Sequence, residues 1–421
     1  MKLFSYLLVA CAGLGLFACN TENDPVIENG DGVTKSVSLK LNGISGSLNT
    51  KAIEAGTTST STEAIILKDL KIVFYDKTAT NGPIYRTVVF DPVANSTEWA
   101  ALTGTGDGYV FHNLDPKVTS VLIVGNWQGK GGTVASPTTN INWANVSSIK
   151  SSVLLAAEEN QSVPNLETTP TNSTKNYVTL WGEADLVSGG TFVDSTHPTG
   201  AVVSKYTAAV TIKPLVARME IGNIQCDNLG TMYSEFYLKG IGLIEMFLEN
   251  SIDGTGKSDR LMIDTHILEP GSAPLTGKYV FGTDANLAWA FDAIYEGGTP
   301  PNFVLINNLN DIYNPNGTSA SPSGNLKFAY NFFPEAEFPN IKLLLHNVKT
   351  VGGGLSGFNY VATASFEEDD ANHPLAGYIY KVDLKFKEIN IGPWNPDNFI
   401  CVIVKVTVTP WTIMSLTPVF H

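Results

Sequence analysis

Alternation of apolar and polar residues is the main pattern in this chain, and it is clearest near the C-terminus. From residue 402 to residue 409, valine occupies every even position, and three of the four odd positions are polar. A period of two predicts a half-buried β-strand. Pro410 interrupts the run, since proline has no N–H for the ladder, and a second β-prone run covers residues 411–420. An apolar strand at a chain end is a template for pairing with another chain.

The same alternation predicts strands throughout the rest of the chain. Residues 36–42 alternate strictly, with Val37, Leu39 and Leu41 on one face. Other β-prone runs cover residues 67–76, 84–90, 109–114, 120–127, 177–187, 236–248, 278–281, 325–333, 341–351, 360–366 and 378–389. A few helical turns are expected within residues 146–158. Short strands separated by Ser/Thr/Pro/Asn-rich loops favour an all-β fold. We predict two β-sandwich domains that divide near Lys213–Pro214.

The N-terminus has the pattern of an exported lipoprotein. Lys2 supplies a short positive start, and residues 3–18 are almost wholly apolar. This run is too short to span a bilayer and a polar stretch follows it, so it predicts a signal peptide at residues 1–18. The sequence LFAC at residues 16–19 resembles a bacterial lipobox, which would make Cys19 the lipidated first residue of the exported chain. An ordinary secretory signal with incidental cysteines is the alternative.

The composition restricts the possible classes of binding partner and the possible cellular compartment. The chain has 421 residues, 43% of them hydrophobic and 16% charged, with a net charge of −14. This charge argues against nucleic acid, whose phosphates require a Lys/Arg patch. With Cys11 lost in the signal peptide and Cys19 acylated, Cys226 and Cys401 remain. They could form one disulfide outside the cytoplasm, or they could be two buried free thiols.

No catalytic or metal-binding motif is convincing. Residues 352–357 fit the spacing GxGxxG, but a dinucleotide site requires a helix next, and a β-prone segment follows here. We therefore predict a glycine-rich hairpin. The acidic run at 367–370 is typical of a solvated turn, and the histidines lack metal-ligand spacing. No serine lies in a GxSxG elbow. The sequence predicts no enzyme, no cofactor and no metal site.

Five segments carry a resemblance to a known family. They are VTIKPLVARMEI at 210–221, VTVTPW at 406–411, YIYKVDL at 378–384, LKIVFY at 70–75 and LIVGN at 122–126. Their order along the chain, together with the lipobox, resembles the Bacteroidetes fimbrillins, the FimA- and Mfa-like major subunits of type V pili. The long loops between the segments carry no such resemblance.

The resemblance implies two transthyretin-like Greek-key β-sandwiches in a subunit exported as a lipoprotein to the outer membrane. There a trypsin-like protease, cutting after Arg or Lys, removes the lipid together with the first strand. The C-terminal strand of another copy then fills the opened groove. The implied partners are further copies of the chain, other fimbrial subunits, the maturation protease and, for the precursor, the membrane. The implied location is a fimbrium on the cell surface that serves adhesion.

This scheme can be assigned to residues of this chain. Val37, Leu39 and Leu41 would form the removable strand. Lys51 is the only basic residue between Lys40 and Lys68, in a Gly/Ser/Thr-rich run, and exposed loops of small polar residues are preferred cleavage sites. The expected cut lies between Lys51 and Ala52, where family members often have Arg. The expected donor side chains are those of Trp411, Ile413, Met414, Leu416, Val419 and Phe420.

These assignments divide the chain into four parts, and other roles remain open. Residues 1–18 are the signal peptide, 19–51 the tether and removable strand, 52–213 the N-terminal sandwich, and 214–421 the C-terminal sandwich with the donor strand. A fimbrial anchor would escape cleavage, and a tip subunit would lack a donor strand. A surface glycan-binding lipoprotein would keep both its lipid and its first strand. The presence of a cleavable loop and a donor-like terminus favours the stalk subunit.

Overall fold

The chain is folded mainly as β-structure. The structure, a computed structural model, describes residues 34–42, 44–49, 64–104, 106–128, 141–160, 178–193, 202–260, 291–294, 304–308, 311–313, 328–335, 337–364, 373–393, 403–410 and 412–417. Several β-sheets form sandwich-like domains with few short helices, which confirms the all-β prediction. None of the helices in these ranges is long and apolar enough to cross a membrane.

The first half of the chain forms two main sheets around one core. Its strands are β1 (Lys35–Asn42), β2 (Ile44–Asn49), β3 (Ala64–Leu67), β4 (Leu70–Tyr75), β5 (Ile84–Phe90), β6 (Tyr109–Leu114), β7 (Ser120–Gly125), β8 (Val153–Leu155), β9 (Leu180–Asp185), β10 (Val187–Val193), β11 (Val202–Thr211) and β12 (Lys213–Pro214). The helices among them are α1 (Ser96–Thr103), α2 (Val146–Lys150) and α3 (Ala156–Glu159). The sheet orders are β10-β11-β1-β6 and β12-β9-β7-β4-β5, and both sheets contribute to a single hydrophobic cluster.

The second half of the chain repeats this organisation around a second core. Its strands are β13 (Ala217–Asp227), β14 (Tyr233–Ile244), β15 (Phe247–Ser251), β16 (Ser258–Arg260), β17 (Phe291–Ala293), β18 (Val304–Ile306), β19 (Ile312–Tyr313), β20 (Ala329–Phe332), β21 (Asn340–Thr350), β22 (Leu355–Ala364), β23 (Tyr378–Lys387), β24 (Gly392–Pro393), β25 (Ile403–Pro410) and β26 (Thr412–Thr417). The orders β19-β13-β23-β25 and β17-β14-β21-β22-β24 describe its two main sheets, with β20 beside β13 and β18 beside β14.

Two small sheets join segments that are distant in sequence. One has the order β16-β15-β8, so that β8 from the first half pairs with β15 from the second. The other has the order β2-β26-β3, so that the last strand of the chain pairs beside two of the first. A 3-10 turn at Glu388–Asn390 follows β23. Both small sheets therefore link the two halves through backbone hydrogen bonds.

The sequence located most strands but not all the local structure. The run predicted at 84–90 is β5, and the run at 109–114 is β6. The glycine-rich segment forms the turn between the antiparallel strands β21 and β22, as predicted. The few helical turns expected around residues 146–158 are present as the short helices α2 and α3, and strand β8 lies between them. The predicted strand at 278–281 lies outside the described residues.

Candidate functional site

Strand β1, which carries the predicted removable face, lies in the interior of its sheet. Val37 and Leu39 are 0% exposed and Leu41 is 3% exposed, as their alternation predicted. Fully burying a side chain of this kind contributes about 1.5–3 kcal/mol relative to leaving it in water. The strand is thus an integral part of the N-terminal core.

Both edges of β1 are hydrogen-bonded. It runs parallel to β11, with Leu39 opposite Ala208 and Leu41 opposite Val210. On its other side it runs antiparallel to β6, where Val37 lies opposite Phe111. Removing β1 would therefore leave two facing strands with unpaired N–H and C=O groups, separated by the width of one strand. Unpaired backbone groups of this kind recruit another strand.

Apolar and aromatic side chains surround the position of β1. Phe111 contacts Phe74 and Tyr109, with ring centroids 4.9 Å apart in each pair and edge-to-face geometry. Phe90 lies 5.9 Å from both Tyr109 and Phe111. Such pairs add about 0.5–1.5 kcal/mol each beyond their burial. The position of β1 is therefore a preformed groove for a strand with alternate apolar side chains.

Polar contacts also hold β1 in this groove. The Lys35 ammonium donates to the Val118 carbonyl at 2.6 Å, and the Ser38 hydroxyl donates to the Asp107 carbonyl at 2.9 Å. Gly108 has φ +92°, and a Cβ there would lie 2.1 Å from the Leu39 carbonyl oxygen. Glycine is required here, because it accepts the positive φ and has no Cβ to clash with β1. The backbone that leads into β6 therefore packs directly against β1.

The residues predicted for processing lie outside the described residues. These are Cys19 for lipidation, and Lys51 and Ala52 for cleavage. The structure does describe the two strands on either side of the predicted cut, since β2 ends at Asn49 and β3 begins at Ala64. A cut between them would leave β1 and β2 on the released piece and β3 on the retained chain.

The C-terminal strands occupy two different sheets. Strand β25 runs antiparallel to β23 and, among the described residues, lies at the end of its sheet. Strand β26 then runs parallel to both β2 and β3. Of the predicted donor residues, the structure places the backbone of Ile413, Met414 and Leu416 in β26, while Trp411, Val419 and Phe420 lie outside the described residues. The terminal strand is therefore paired within its own chain.

A buried polar cluster joins the two halves of the chain. The Arg218 Nε donates to the Asn331 side-chain oxygen at 3.0 Å, and the Asn331 amide donates to the Glu159 carbonyl at 2.6 Å. The Asn160 side chain makes two further hydrogen bonds to the Asn331 backbone: its amide donates to the carbonyl at 2.8 Å, and its oxygen accepts from the N–H at 2.9 Å. The Glu159 carboxylate accepts from both the backbone N–H and the hydroxyl of Thr179. Strand β13 is consequently hydrogen-bonded, through β20, to helix α3.

Charge is retained in this cluster despite burial. Arg218 is 2% exposed, and its guanidinium lies 3.7 Å from the Glu220 carboxylate, which is 3% exposed. Desolvation lowers the pKa of Arg218 to about 10, while the Glu220 charge opposes that shift. The guanidinium is therefore still protonated at neutral pH. A buried ion pair of this kind is weak evidence for stability, but loss of one partner is strongly destabilising.

Sequence reasoning missed two parts of this arrangement. It did not predict β11, the parallel neighbour of β1, although Tyr206, Ala208 and Val210 alternate with polar residues or with the small Ala209. It also gave Arg218 no structural role, because alternation cannot show that both faces of β13 are buried at this end. The available signal was a pair of charged residues, Arg218 and Glu220, on either side of the apolar Met219.

The remaining chemistry gives no second candidate site. No group of three or more His, Cys, Asp or Glu side chains close enough to hold a metal ion occurs among the described residues. Cys226 is a buried free thiol. Burial, followed by the nearby Glu388 and Asp227 charges, raises its pKa to about 12. Cys401, the other cysteine of the disulfide alternative, lies outside the described residues.

Comparison with solved structures gives the class of fold. A candidate cell adhesion protein from Bacteroides eggerthii DSM 20697 superimposes with a TM-score of 0.52 at 10% sequence identity, over 92% of this chain and 99% of that one. This likeness over nearly the whole length of both chains shows that they share a fold. No family model matches the sequence, and no curated protein matches it.

Other solved structures are similar at lower scores. A candidate cell adhesion protein from Parabacteroides distasonis ATCC 8503 has a TM-score of 0.43 and 12% identity, over 93% of this chain and 99% of that one. A fimbrillin (FimA) from Porphyromonas gingivalis W83 has a TM-score of 0.43 and 10% identity, over 91% and 99% of the respective chains.

Proposed function

We propose that this chain is a non-catalytic structural subunit of a surface fimbria, exported as a lipoprotein and polymerised by strand exchange. The observation that carries the proposal is the position of β1, which is buried and hydrogen-bonded on both sides between β6 and β11. A strand in that position leaves a complete acceptor groove when it is removed. A fold shared with a candidate adhesion protein agrees with this function.

The proposed steps combine this geometry with the processing scheme that the sequence resemblance implies. Lipid on Cys19 holds the precursor at the outer membrane, and a trypsin-like protease cuts between Lys51 and Ala52. Departure of β1 exposes the groove that is lined by Phe111 and Val210. It also leaves the backbone N–H and C=O groups of β6 and β11 that faced β1 without partners. The C-terminal strand of another copy enters by β-strand addition, with backbone bonds giving affinity and alternate side chains filling the apolar positions.

The proposed domain boundary agrees with the division of the cores. One hydrophobic cluster draws mainly on residues up to Val216, with Ile252, Phe333 and Ile379 added from later in the chain. The other begins at Ala217. We propose that residues 52–213 and 214–421 form the two sandwiches of the mature subunit.

Substitution of the cleavage residue tests the proposed function. Lys51→Ala should leave the precursor lipid-bound and unpolymerised, because no other basic residue lies between Lys40 and Lys68. Lys51→Arg is the matched control and should still be processed by a protease that cuts after Arg or Lys. Surface fractions would be assayed for subunit mass, acyl label and fibres in electron micrographs.

The outcomes separate the candidate roles. Loss of fibres in Lys51→Ala with normal fibres in Lys51→Arg supports the stalk subunit. Wild-type protein that remains uncleaved and acylated at the surface would indicate an anchor or a glycan-binding lipoprotein. Normal fibres from Lys51→Ala would contradict the proposed processing site.

A further inference from the structure

The last strand of the chain is held between two strands that flank the predicted cut. Strand β26 pairs with β2 through Ile413 opposite Ile44 and Ser415 opposite Ser47. It pairs with β3 through Thr412 opposite Ala64 and Ile413 opposite Ile65. Both pairings are parallel, and the sheet order is β2-β26-β3. We define the docking slot as the space between β2 and β3 that β26 occupies.

The two walls of the docking slot have different fates in maturation. Strand β2 follows β1 after Gly43 alone, so it belongs to the piece that carries the removable strand. Strand β3 leads into β4 and stays with the mature chain. Any cut between Asn49 and Ala64 therefore separates the two walls covalently. Departure of β1 would take β2 with it and leave β26 paired on one side only.

The slot and the acceptor groove share a neighbouring element. Helix α1 lies beside both β1 and β26, and its Trp99 and Leu102 are buried at 1% and 0% exposure. A two-stranded pair is marginally stable in water without further support. Loss of β2 thus removes one ladder of β26 at the moment when loss of β1 opens the groove beside α1.

We propose that the docking slot is a binding site for this chain's own C-terminal strand, and that a cut between β2 and β3 opens it. One proteolytic event then produces both an acceptor groove and a donor strand that is held on one side only, by β3. An uncut precursor offers neither, so it does not polymerise before maturation. An exposed apolar strand would otherwise be a site of uncontrolled pairing. The inference rests on the proposed function for its biological meaning, but the docking and release can be measured without fibres.

Hydrogen exchange tests the release directly. The full precursor would carry a recognition site for a sequence-specific protease between Asn49 and Ala64, which makes the test independent of Lys51. The subunits would be immobilised and dilute, so that strands from different copies cannot meet. Amide exchange in residues 412–417 should accelerate by at least about tenfold after the cut and removal of β1 and β2, because one ladder is lost.

The neighbouring strand is the internal control for this measurement. Amides in β25, which remain paired with β23, should exchange at an unchanged rate. Unchanged exchange in residues 412–417 after complete removal of β1 and β2 would overturn the proposal. The proposed function would still stand in that case if wild-type subunits form fibres. Accelerated exchange without any fibres from wild-type subunits would contradict the proposed function but not the release of β26.

A disulfide lock tests whether donation requires release from β3. Ala64→Cys with Thr412→Cys joins residues that face each other across the ladder, in a chain with Cys226→Ala and Cys401→Ala. The mismatched control is Ala64→Cys with Thr417→Cys, which should form no disulfide. The oxidised lock should be cut and should accept a donor, yet it should not donate. Added to wild-type subunits, it should shorten fibres until a reductant restores their length.

Failure of the lock would be informative in two ways. If the matched pair forms no more disulfide than the mismatched pair, β26 does not occupy the docking slot. If the matched disulfide forms completely and fibres still reach full length, donation does not require release. Either result overturns the proposal.

Discussion

Single residues determine how closely β1 can approach its neighbours. Gly108 combines φ +92° with a position where an added Cβ would lie 2.1 Å from the Leu39 carbonyl oxygen. Any other residue there would be strained in its backbone and would displace β1. The Ser38 hydroxyl and the Lys35 ammonium add hydrogen bonds to carbonyl oxygens at the same strand. The precursor is therefore sensitive to substitutions that touch the backbone of β1.

Gly108→Ala should destabilise the precursor by about 1–3 kcal/mol, the usual cost of forcing a side chain into a disfavoured backbone region. Gly106→Ala is the matched control, since no atom lies within 4 Å of a Cβ built there, and it should change stability by no more than about 0.5 kcal/mol. Chemical denaturation of both precursors measures the difference. Equal stabilities would show that β1 does not lie against Gly108.

At the scale of elements, β1 belongs to the core of the precursor but is proposed to be absent from the fibre. Leu39→Ala should cost the precursor about 2–5 kcal/mol, as for other buried leucines. Fibres made from that variant should dissociate at the same denaturant concentration as wild-type fibres, because Leu39 has departed with the released piece.

Ile72→Ala is the matched control for this comparison. Ile72 is 0% exposed in β4, which stays in the mature chain, so its truncation should weaken precursor and fibre alike. Denaturation gives the stability of the precursor and of the fibre for each of the two variants, and these four values are compared with those of the wild type. Leu39→Ala fibres weakened as much as Ile72→Ala fibres would indicate that β1 is retained.

The sequence predicted the faces of strands better than their partners. Val37, Leu39 and Leu41 alternate, and all three are buried, because a period of two fixes which side chains share a face. It could not show that β1 pairs with β11, in which the residue opposite Leu39 is Ala208, 169 positions later in the chain. Alternation contains no information on which strand lies alongside. For the same reason, the terminal run was predicted as a strand, but its place between β2 and β3 was not.

In the whole molecule, the two halves are held together by non-covalent contacts as well as by the chain that connects them. The cluster of Arg218, Asn331, Asn160 and Glu159 is buried at the junction, and β8 pairs with β15 across it. Buried polar groups that satisfy one another fix one relative arrangement, since any other would leave them unpaired at a cost of about 1–3 kcal/mol each. The junction therefore has one preferred arrangement in the folded chain.

Strand exchange can be tested by identifying the N-terminal residue of the subunits in assembled fibres. Shed fibres would be purified, dissociated and analysed by intact mass and terminal peptide sequencing. If strands are exchanged, the subunits should begin at Ala52 and lack the segment containing Val37, Leu39 and Leu41, while retaining the C-terminal strand. Fibres whose subunits still contain residues 37–41 would contradict it, because the groove between β6 and β11 would then be filled by the subunit's own first strand.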